Sequence, residues 1–355
     1  MTDPRIIQTA KILVEHSTKV KKGERVRINT DPLSAPLAKE LYKLCIQKGA
    51  YPSVNCSLPG FSYTYYKYAN DEQLKKFPDI AMHEARNTQV WISVSGEHNT
   101  REFTNVDHKK MALRRKTTNP LSEQIVNYTR WVGFDYPSNA LAQDAGMSLE
   151  EYEDFVYGSV LLDWKKWSKR MQPLRDAMNK TDKVRIVTED TDLTMSIKGR
   201  NAVIGDGSCN MPDGEVFTAP IVGSVEGHIR FAYPAIYNGN EVENVSIEFK
   251  NGKAINESAS SNQKFLTTML NTDKGARFLG ELGIGANYNI QKFTKNILFD
   301  EKIGGSVHIA FGSAYKECKG TNKSALHWDM IKDLRQGGEL YFDDRLVQKN
   351  GKFRL

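Results

Sequence analysis

The length, composition and charge of this chain exclude several classes of protein. Its 355 residues are 39% hydrophobic and 26% charged, which is typical of a globular protein with enough apolar material for two domains, and not of a disordered chain. The 49 basic and 43 acidic side chains leave a formal charge of +6 spread along the chain, without any nucleic-acid-binding motif. We therefore predict no nucleic-acid partner.

Cysteine usage and the beginning of the sequence indicate the compartment. The cysteines are scattered and form no C-x-x-C pair, which is typical of a reducing compartment. The opening stretch, MTDPRIIQTAKILVEH, lacks the apolar core and the cleavage site of a signal peptide, and no apolar run is long enough to span a bilayer. The sequence predicts a cytoplasmic protein without a membrane partner.

The first half of the chain alternates helical and strand patterns. A helical period over 4–18 precedes the strand RVRINTD, a helix between Ser34 and Gly49, the strand YPSVNCSL, a polar helix over 71–85 and the strand TQVWISVSG. Two helices flank RWVGFDYP, and one long amphipathic helix covers SLEEYEDFVYGSVLLDWKKWSKRMQPLRDAM. Strands that alternate with helices predict an α/β domain with a mainly parallel sheet over residues 1–180.

The pattern changes near residue 181. KVRIVTED, DLTMSIKG and VSIEFKNGKAI are short strands that follow one another closely. The pairs Asn251-Gly252 and Asn350-Gly351 are strong signals for two-residue hairpin turns, whereas the run after Asp329 looks helical. These features predict a second, α+β domain rich in antiparallel strands over residues 181–355.

Histidine and acidic residues in the second half form a candidate metal site. His327 and Asp329, in the stretch SALHWDM, lie two positions apart and point to the same side of an extended segment, so Trp328 between them should point into the core. His308 lies in HIAFGSAY, with Glu301 upstream of it in FDEKIGGSVH. Two imidazoles with several carboxylates are a ligand set for one or two divalent cations, which can activate a water and polarise a carbonyl.

Each of these residues also has a purely structural interpretation. His308, which precedes apolar residues, fits a buried core histidine, and Asp329 fits a helix cap. Glu215 in PDGEVFTAP and Glu281 in FLGELGIG lie beside glycines, as turn residues often do. The spacing alone does not identify an enzyme.

A second candidate site lies in the first half. The stretch SGEHNTRE follows a strand end, where Glu97, His98 and Arg101 could form a polar site at the carboxyl edge of a parallel sheet. A capped loop, with Asn99 and Thr100 as cap residues, is the favoured interpretation. No G-x-G-x-x-G, Walker or G-x-S-x-G motif supports a dinucleotide, nucleotide or serine-hydrolase function.

Several blocks of the sequence resemble one enzyme family. NMPDGEVFTAP, FLGELGIG, LFDEKIGGSVHIAFGSAY and SALHWDMI occur in the order seen in the M29 metallo-aminopeptidases. GEHNTRE and YPSNALAQDAGMSLEEYEDF in the first half are also similar to that family, so the resemblance extends along the chain. It implies an N-terminal α/β domain, a C-terminal metal-binding domain and a homodimer.

The resemblance also implies roles for individual residues. Glu281 corresponds to an acid shared by two metal ions, and Tyr315 corresponds to a tyrosine that could donate a hydrogen bond to a developing oxyanion. The segment between Glu301 and His308 looks two residues longer than the family pattern, which makes Glu301 the least certain ligand. The implied metal ligands are Glu215, Glu281, Glu301, His308, His327 and Asp329.

The implied activity is the release of N-terminal amino acids from peptides with a free N-terminus. Two divalent ions per subunit (Zn, Co, Mn or Mg) would activate a water that attacks the first peptide carbonyl. A carboxylate would carry the proton of the water to the leaving amine; Glu281 is the first candidate, although another acid could serve. The alternatives are a different dinuclear metallohydrolase, acting on amides or phosphoesters, and a non-catalytic peptide-binding relative.

Overall fold

The computed structural model of the protein describes residues 2–231 and 233–355. Within these ranges, a π-helical segment, Ile12–Ser17, continues the first α-helix. The α-helices are α1 (Pro4–Lys11), α2 (Ala35–Gln47), α3 (Phe61–Tyr68), α4 (Asp71–Lys75), α5 (Asp79–Arg86), α6 (His108–Tyr128), α7 (Asn139–Asp144), α8 (Leu149–Val160), α9 (Trp164–Lys180), α10 (Gln263–Leu270) and α11 (Ile297–Asp300).

The strands are numbered in chain order over the same ranges. The earlier ones are β1 (Arg25–Thr30), β2 (Tyr51–Cys56), β3 (Val90–Ser95), β4 (Arg130–Asp135), β5 (Lys183–Thr188), β6 (Thr191–Ser196), β7 (Val203–Gly205), β8 (Asn210–Met211), β9 (Glu215–Thr218) and β10 (Glu226–Arg230). The later ones are β11 (Ala235–Tyr237), β12 (Asn240–Val242), β13 (Ser246–Lys250), β14 (Lys253–Ser258), β15 (Leu279–Gly285), β16 (Ser306–Gly312), β17 (His327–Asp333), β18 (Glu339–Phe342), β19 (Arg345–Lys349) and β20 (Lys352–Phe353).

The chain up to Leu162, together with Gly207–Pro212, forms one compact unit. Its sheet has the order β2-β1-β3-β4-β8, and every neighbouring pair of strands is parallel. The central strands β1 and β3 contribute the buried residues Val26, Ile28, Val90 and Ile92. This unit confirms the predicted α/β fold with a mainly parallel sheet.

The second unit consists of Asp163–Asp206 and Asp213–Leu355 and is rich in antiparallel strands, as predicted. One antiparallel sheet has the order β14-β13-β10-β6-β5-β18-β19-β20, and the other has the order β17-β16-β15-β9-β7. Apolar side chains of both sheets belong to one buried core, because each sheet turns one large apolar face inward. The candidate metal ligands lie on and beside the second of these sheets.

Both predicted hairpin turns are present in the second unit. Asn251 and Gly252 have φ angles of 51° and 78°, and Asn350 and Gly351 have φ angles of 48° and 72°. A two-residue turn with positive φ at both positions matches the right-handed twist of the flanking strands, and asparagine and glycine adopt it most readily. These turns fix the pairing of β13 with β14 and of β19 with β20.

Three of the predicted helices were wrong in extent or in type. The long helix over 148–178 is two helices, because Asp163 caps α9 by accepting a hydrogen bond from the Lys166 amide. The helix over 71–85 is divided at Pro78, which disfavours helical geometry in the residue before it. The run after Asp329 is not a helix but β17, because it pairs along its whole length with β16.

Along the chain, the first segment of the first unit ends at Leu162, and the second unit begins at Asp163. Helix α9 belongs to the second unit because it packs against β7 and β9. The domain ranges 1–180 and 181–355, drawn from the change of sequence pattern, remain predictions. Among the residues that the structure describes, there is no helix with the length and apolarity needed to cross a membrane.

Candidate metal centre

Alternation along β15, β16 and β17 separates an apolar face from a polar one. The apolar face carries Leu282, Ile284, Ile309, Phe311 and Trp328, all of them buried in the core. The opposite face carries the candidate ligands, and small residues occupy the positions between them: Gly283 and Gly285 on β15, and Ser306, Ala310 and Gly312 on β16. Side chains alternate between the two faces of a strand, so the same segments build the core and the site.

Strand register brings the ligands from distant parts of the chain side by side. Glu215 pairs with Gly285, and His308 pairs with Gly283. Glu281 and Asp329 lie on either side of Ala310, each paired with it from its own strand. The small residues leave the space above the sheet to the carboxylates and imidazoles.

Glu281 lies at the centre of the cluster. Its Oε1 is 3.4 Å from His308 Nε2, and its Oε2 is 3.4 Å from His327 Nε2. Around these two oxygens the described residues form two groups able to hold a cation, Glu215–Glu281–His308 and Glu281–His327–Asp329. In each group the ligand atoms lie within 4.8 Å of one another, so one carboxylate is shared by two potential cation positions.

Both imidazoles are oriented by backbone carbonyls. His308 Nδ1 is 3.0 Å from the carbonyl oxygen of Glu301, and His327 Nδ1 is 2.9 Å from that of Ser313. An Nδ1–H donated to a carbonyl leaves Nε2 free to bind a cation. The Nε2 atoms of both histidines face the acidic cluster, at 3.2 Å from Glu215 Oε2 and 3.4 Å from Asp329 Oδ2.

Glu301 and Lys302 follow α11 and reach the same cluster. Glu301 forms a third potential cation group with His308 and Asp329, so all six residues named from the sequence belong to overlapping groups. Their role as ligands remains a prediction. Lys302 is fully buried, forms an ion pair with Glu301, and places its Nζ 3.6 Å from Glu215 Oε1.

The sequence analysis did not identify Lys302 or the small residues between the ligands as parts of the site. A lysine in EKIGGSVH usually reaches solvent, so only its burial reveals a role. Alternation of small or polar residues with large apolar ones in GELGIG and HIAFG was a signal that could have identified the site face.

Tyr315 lies beside the cluster in the loop after β16. Its ring centroid is 5.2 Å from that of His327 and 5.6 Å from that of Phe217. Tyr315 is 45% exposed, and the partial desolvation of its phenol, followed by the negative charge of Glu281 and Asp329, raises the pKa above its usual value. A neutral phenol is a hydrogen-bond donor, as an oxyanion requires.

Without a cation, burial and mutual repulsion make the ionised carboxylates of the cluster unfavourable in free energy. Burial raises the pKa of Glu215, and Glu281 and Asp329 raise it further, although Lys302 and His308 oppose this change. Burial would also raise the pKa of Glu281, but hydrogen bonds from the two histidines lower it. Four carboxylates share this small volume, so positive charge is needed there.

The residues fit divalent cations. Glu215 Oε2 and Asp329 Oδ1 are buried without a hydrogen-bond partner, and buried carboxylate oxygens are normally satisfied. Imidazole nitrogens and carboxylate oxygens are the donors that Zn²⁺, Co²⁺ and Mn²⁺ accept. The ammonium of the cluster, that of Lys302, pairs with Glu301 and with the other oxygen of Glu215, so a cation is the partner that can satisfy the orphaned oxygens.

The second candidate site predicted from the sequence, in the stretch SGEHNTRE, is distant in sequence from the proposed metal ligands. Glu97 and His98 line a cavity of about 430 Å³ at the carboxyl ends of β1 and β3, together with Asp31 and Glu102. Burial, with the charges of Asp135 and Asp31, raises the pKa of Glu97. The Arg101 amide donates a hydrogen bond to the Asn99 side chain, but the helix that follows begins at His108 and is capped by Asp107, so the prediction of Asn99 and Thr100 as its cap residues was wrong. Glu97 and His98 are absent from every potential cation group of the described residues.

Comparison with known proteins identifies the family of this chain. The model of the thermophilic metalloprotease family (M29) matches residues 2–353. Aminopeptidase 2 of Geobacillus stearothermophilus is 23% identical over 377 aligned positions, which cover 91% of this chain and 90% of that protein. Aminopeptidase AmpS of Bacillus subtilis is 25% identical over 346 positions, which cover 86% of this chain and 83% of that protein.

A solved structure has the same fold over its whole length. Wild-type AmpT from Thermus thermophilus superposes with a TM-score of 0.87 at 22% identity, covering 99% of each chain. The fold and the family predicted from the sequence blocks are thereby confirmed. With nearly every residue inside the family match, this chain belongs to the M29 family of thermophilic metalloproteases.

Proposed function

We propose that this protein is a metal-dependent aminopeptidase whose site holds two divalent cations. The observation that supports this function best is the position of Glu281, whose two oxygens face two different groups of potential ligands. Family membership supports the peptidase chemistry, and the names of the relatives support the preference for N-termini. The proposed ligands are Glu215, Glu281, Glu301, His308, His327 and Asp329.

The residues of the chain have distinct roles in this proposal. Bound cations would supply Lewis acidity and lower the pKa of a water. The Tyr315 hydroxyl donates a hydrogen bond to the oxygen that becomes negative when the carbonyl is attacked. Glu281, between the two histidines at the centre of the cluster, is the first candidate to accept the proton of the water, although another acid could serve.

The alternative of a phosphoesterase gains little support. Such a site needs lysine or arginine side chains free to bind phosphate. Lys332 is held by Asp190 and by the Arg230 carbonyl, at 2.5 Å and 2.9 Å. Lys302 does reach the site, but it is fully buried and paired with the carboxylates of Glu301 and Glu215, so it is not free to bind phosphate. A non-catalytic relative is the remaining alternative.

A homodimer and a cytoplasmic location are further parts of this proposal. Strand β2 lies at the edge of its sheet, and Tyr51, Val54, Leu58 and Phe61 in and after it are exposed. Residues 51–66 carry no charged side chain, so two copies can meet there without repulsion. The scattered cysteines, which form no C-x-x-C pair, favour a reducing compartment such as the cytoplasm.

Metal replacement tests the proposed function. The protein is stripped with a chelator and supplied separately with Co²⁺, Zn²⁺ or Mn²⁺, and release of leucine is followed from leucyl peptides with a free or an acetylated amino group. We expect metal-restored cleavage of the free-amine peptide alone, because an exopeptidase needs that amine as an anchor. Equal cleavage of the acetylated peptide contradicts an aminopeptidase, and a metal-loaded protein that cleaves neither peptide favours a binding protein.

A matched pair of histidine variants tests the ligand assignment. His327→Ala should weaken metal binding by at least about tenfold, a change that even residues outside the coordination sphere produce. His228→Ala, on the exposed side of β10, should leave metal binding unchanged. Unaltered metal affinity in His327→Ala contradicts the proposed site.

A further inference from the structure

Lys302 is a fully buried lysine with acidic partners inside the candidate metal centre. Its side chain has no exposed surface, whereas lysine is among the residues least often buried. The ammonium forms an ion pair with Glu301 and lies 3.6 Å from Glu215 Oε1. A buried ammonium is stable only where its charge is compensated, and here the compensating groups are two proposed metal ligands.

The burial of Lys302 excludes a direct contact with a peptide substrate. A substrate carbonyl or carboxylate reaches the site from solvent, and the ammonium is shielded from solvent on every side. Lys302 therefore acts through Glu215 and Glu301 and is a positioning residue. Because it holds both carboxylates, it fixes their side chains before a cation arrives.

Of the two groups around Glu281, Lys302 contacts only one directly, through Glu215, while its other partner, Glu301, is grouped with His308 and Asp329. Glu215 belongs to the group completed by Glu281 and His308, and Lys302 lies within ion-pair distance of it. The ion pairs of Lys302 with Glu215 and Glu301 leave out Asp329, which with His327 completes the other group around Glu281. The fixed positive charge is thus placed unevenly between the two potential cation positions.

We infer that Lys302 makes the two cation positions unequal, so that the Glu281–His327–Asp329 group binds a divalent ion more tightly than the Glu215–Glu281–His308 group. An ion in the Glu215–Glu281–His308 group would share Glu215 with the ammonium of Lys302. The positive charge of the ammonium would repel this ion. Repulsion between charges a few ångströms apart in a buried site exceeds what one orienting hydrogen bond contributes. This inference rests on the proposed two-cation site.

Chelator competition on the metal-loaded protein tests this inference. The full chain is loaded with Co²⁺ and titrated with a chelator of known affinity, while the metal that stays bound is measured by mass spectrometry. We expect wild-type protein to lose its two ions in steps that differ by at least about tenfold in affinity. In Lys302→Met, which keeps the length of the side chain without its charge, the weaker step should tighten by at least about tenfold and approach the stronger one.

A second substitution and a control complete the test. Lys302→Gln, which keeps a hydrogen-bond donor, should tighten the same step, and it serves if the methionine variant is recovered only in aggregated form. Lys332→Met is the matched control, because Lys332 is also buried but bonds to Asp190 and the Arg230 carbonyl. It should leave both steps unchanged.

The outcomes separate this inference from the proposed function. Loss of both ions in one step from wild-type protein overturns the inference and leaves a two-cation enzyme standing. Unchanged spacing of the two steps in both Lys302 variants overturns it as well. Wild-type protein that binds no Co²⁺ contradicts the proposed function itself.

Discussion

At the scale of single residues, Glu215 and Glu281 show that hydrogen bonding can shift the pKa values of two buried carboxylates in opposite directions. Both are almost completely buried, yet burial raises the pKa of Glu215 while hydrogen bonds from His308 and His327 lower the pKa of Glu281. Glu281 is therefore ionised and held by both imidazoles, whereas Glu215 Oε2 has no hydrogen-bond partner. A cation would satisfy that oxygen, as it would the equally unpartnered Asp329 Oδ1.

Metal affinity should depend on pH through His327. Burial lowers the pKa of this imidazole, but Asp329 and Glu281 outweigh it and raise the pKa to about 10. The metal-free protein thus keeps the proton at neutral pH, and a bound cation must displace it. We expect the association constant for Co²⁺ to rise with pH by up to about tenfold per unit for each proton released.

Calorimetry measures this proton release directly. Binding heats of Co²⁺ between about pH 6 and 8 in buffers of different ionisation enthalpy give the number of protons released. The His228→Ala variant should release the same number. Heats that do not depend on the buffer would show that no imidazole proton is displaced.

Tyr315 should affect turnover and leave metal content unchanged. Its ring lies beside His327, and partial desolvation and the nearby carboxylates raise the pKa of the phenol, which stays neutral. Tyr315→Phe should lower kcat by about a hundredfold, the usual effect of removing an oxyanion donor. Tyr341→Phe, whose hydroxyl bonds to Glu339 on β18, is the control for a generic loss of a hydroxyl. Full turnover by Tyr315→Phe would reduce Tyr315 to a packing residue.

At the scale of secondary-structure elements, β17 explains the stretch SALHWDM. His327 and Asp329 point to the ligand cluster, and Trp328 between them is buried in the core. The Trp328 indole donates a 3.1 Å hydrogen bond to the Ile236 carbonyl, which holds the strand in this orientation. The predicted inward direction of Trp328 is confirmed, because alternation in a strand turns neighbouring side chains to opposite faces.

Gly283 on β15 should tolerate no side chain. A Cβ at this position would lie 2.0 Å from Cε1 and Nε2 of the His308 ring, which pairs with Gly283 across the strands. Gly283→Ala should therefore displace the imidazole, weaken metal binding by at least about tenfold and destabilise the fold by about 1–3 kcal/mol. Metal titration and thermal unfolding measure the two effects.

Gly158 supplies the control for this substitution. It lies within α8, and an added Cβ meets no atom within 4 Å. Gly158→Ala should leave metal binding unchanged and stabilise the protein by up to about 1 kcal/mol, because alanine is the better helix former. Wild-type metal affinity in Gly283→Ala would show that His308 does not bind metal from its observed position.

At the scale of the whole molecule, the edge of the parallel sheet is unusual. Parallel sheets are normally covered on both faces, yet most residues of β2 are exposed, and α3 has no buried residue. An exposed strand edge invites pairing with another chain unless charge blocks it. The uncharged sequence of this edge agrees with the proposed homodimer.

A single charge on this edge should weaken the dimer. Val54 lies in β2 and is 46% exposed, so Val54→Lys places a cation in each copy of the proposed contact without disturbing the core. Sedimentation equilibrium should show a shift towards monomer by at least about tenfold in the dissociation constant. Val222→Lys, at a valine of the second unit that is 40% exposed, should have no effect. A wild-type monomer, or a Val54→Lys dimer of unchanged affinity, contradicts this contact.

Local sequence signals predicted much of the fold and the kinds of side chain in the site. Asn-Gly pairs specified their turns because positive φ is a property of single residues, and the alternation of strands and helices indicated the parallel sheet. The ends of α8 and α9 were missed because a capping aspartate inside an amphipathic run is a weak signal. The strand β17 was mistaken for a helix because short apolar runs fit both periods.

The sequence by itself determined which residues are proposed to carry the chemistry, and only the tertiary structure decided how they meet. Ordered blocks identified Glu215, Glu281, His308, His327 and Asp329, because the residue types suited to metal binding are fixed by their side-chain atoms. Their distances depend on the register of strands far apart in the chain, which arises when the apolar face of the sheet is buried. The burial of Lys302 between two carboxylates follows from that packing, and no local pattern encodes it.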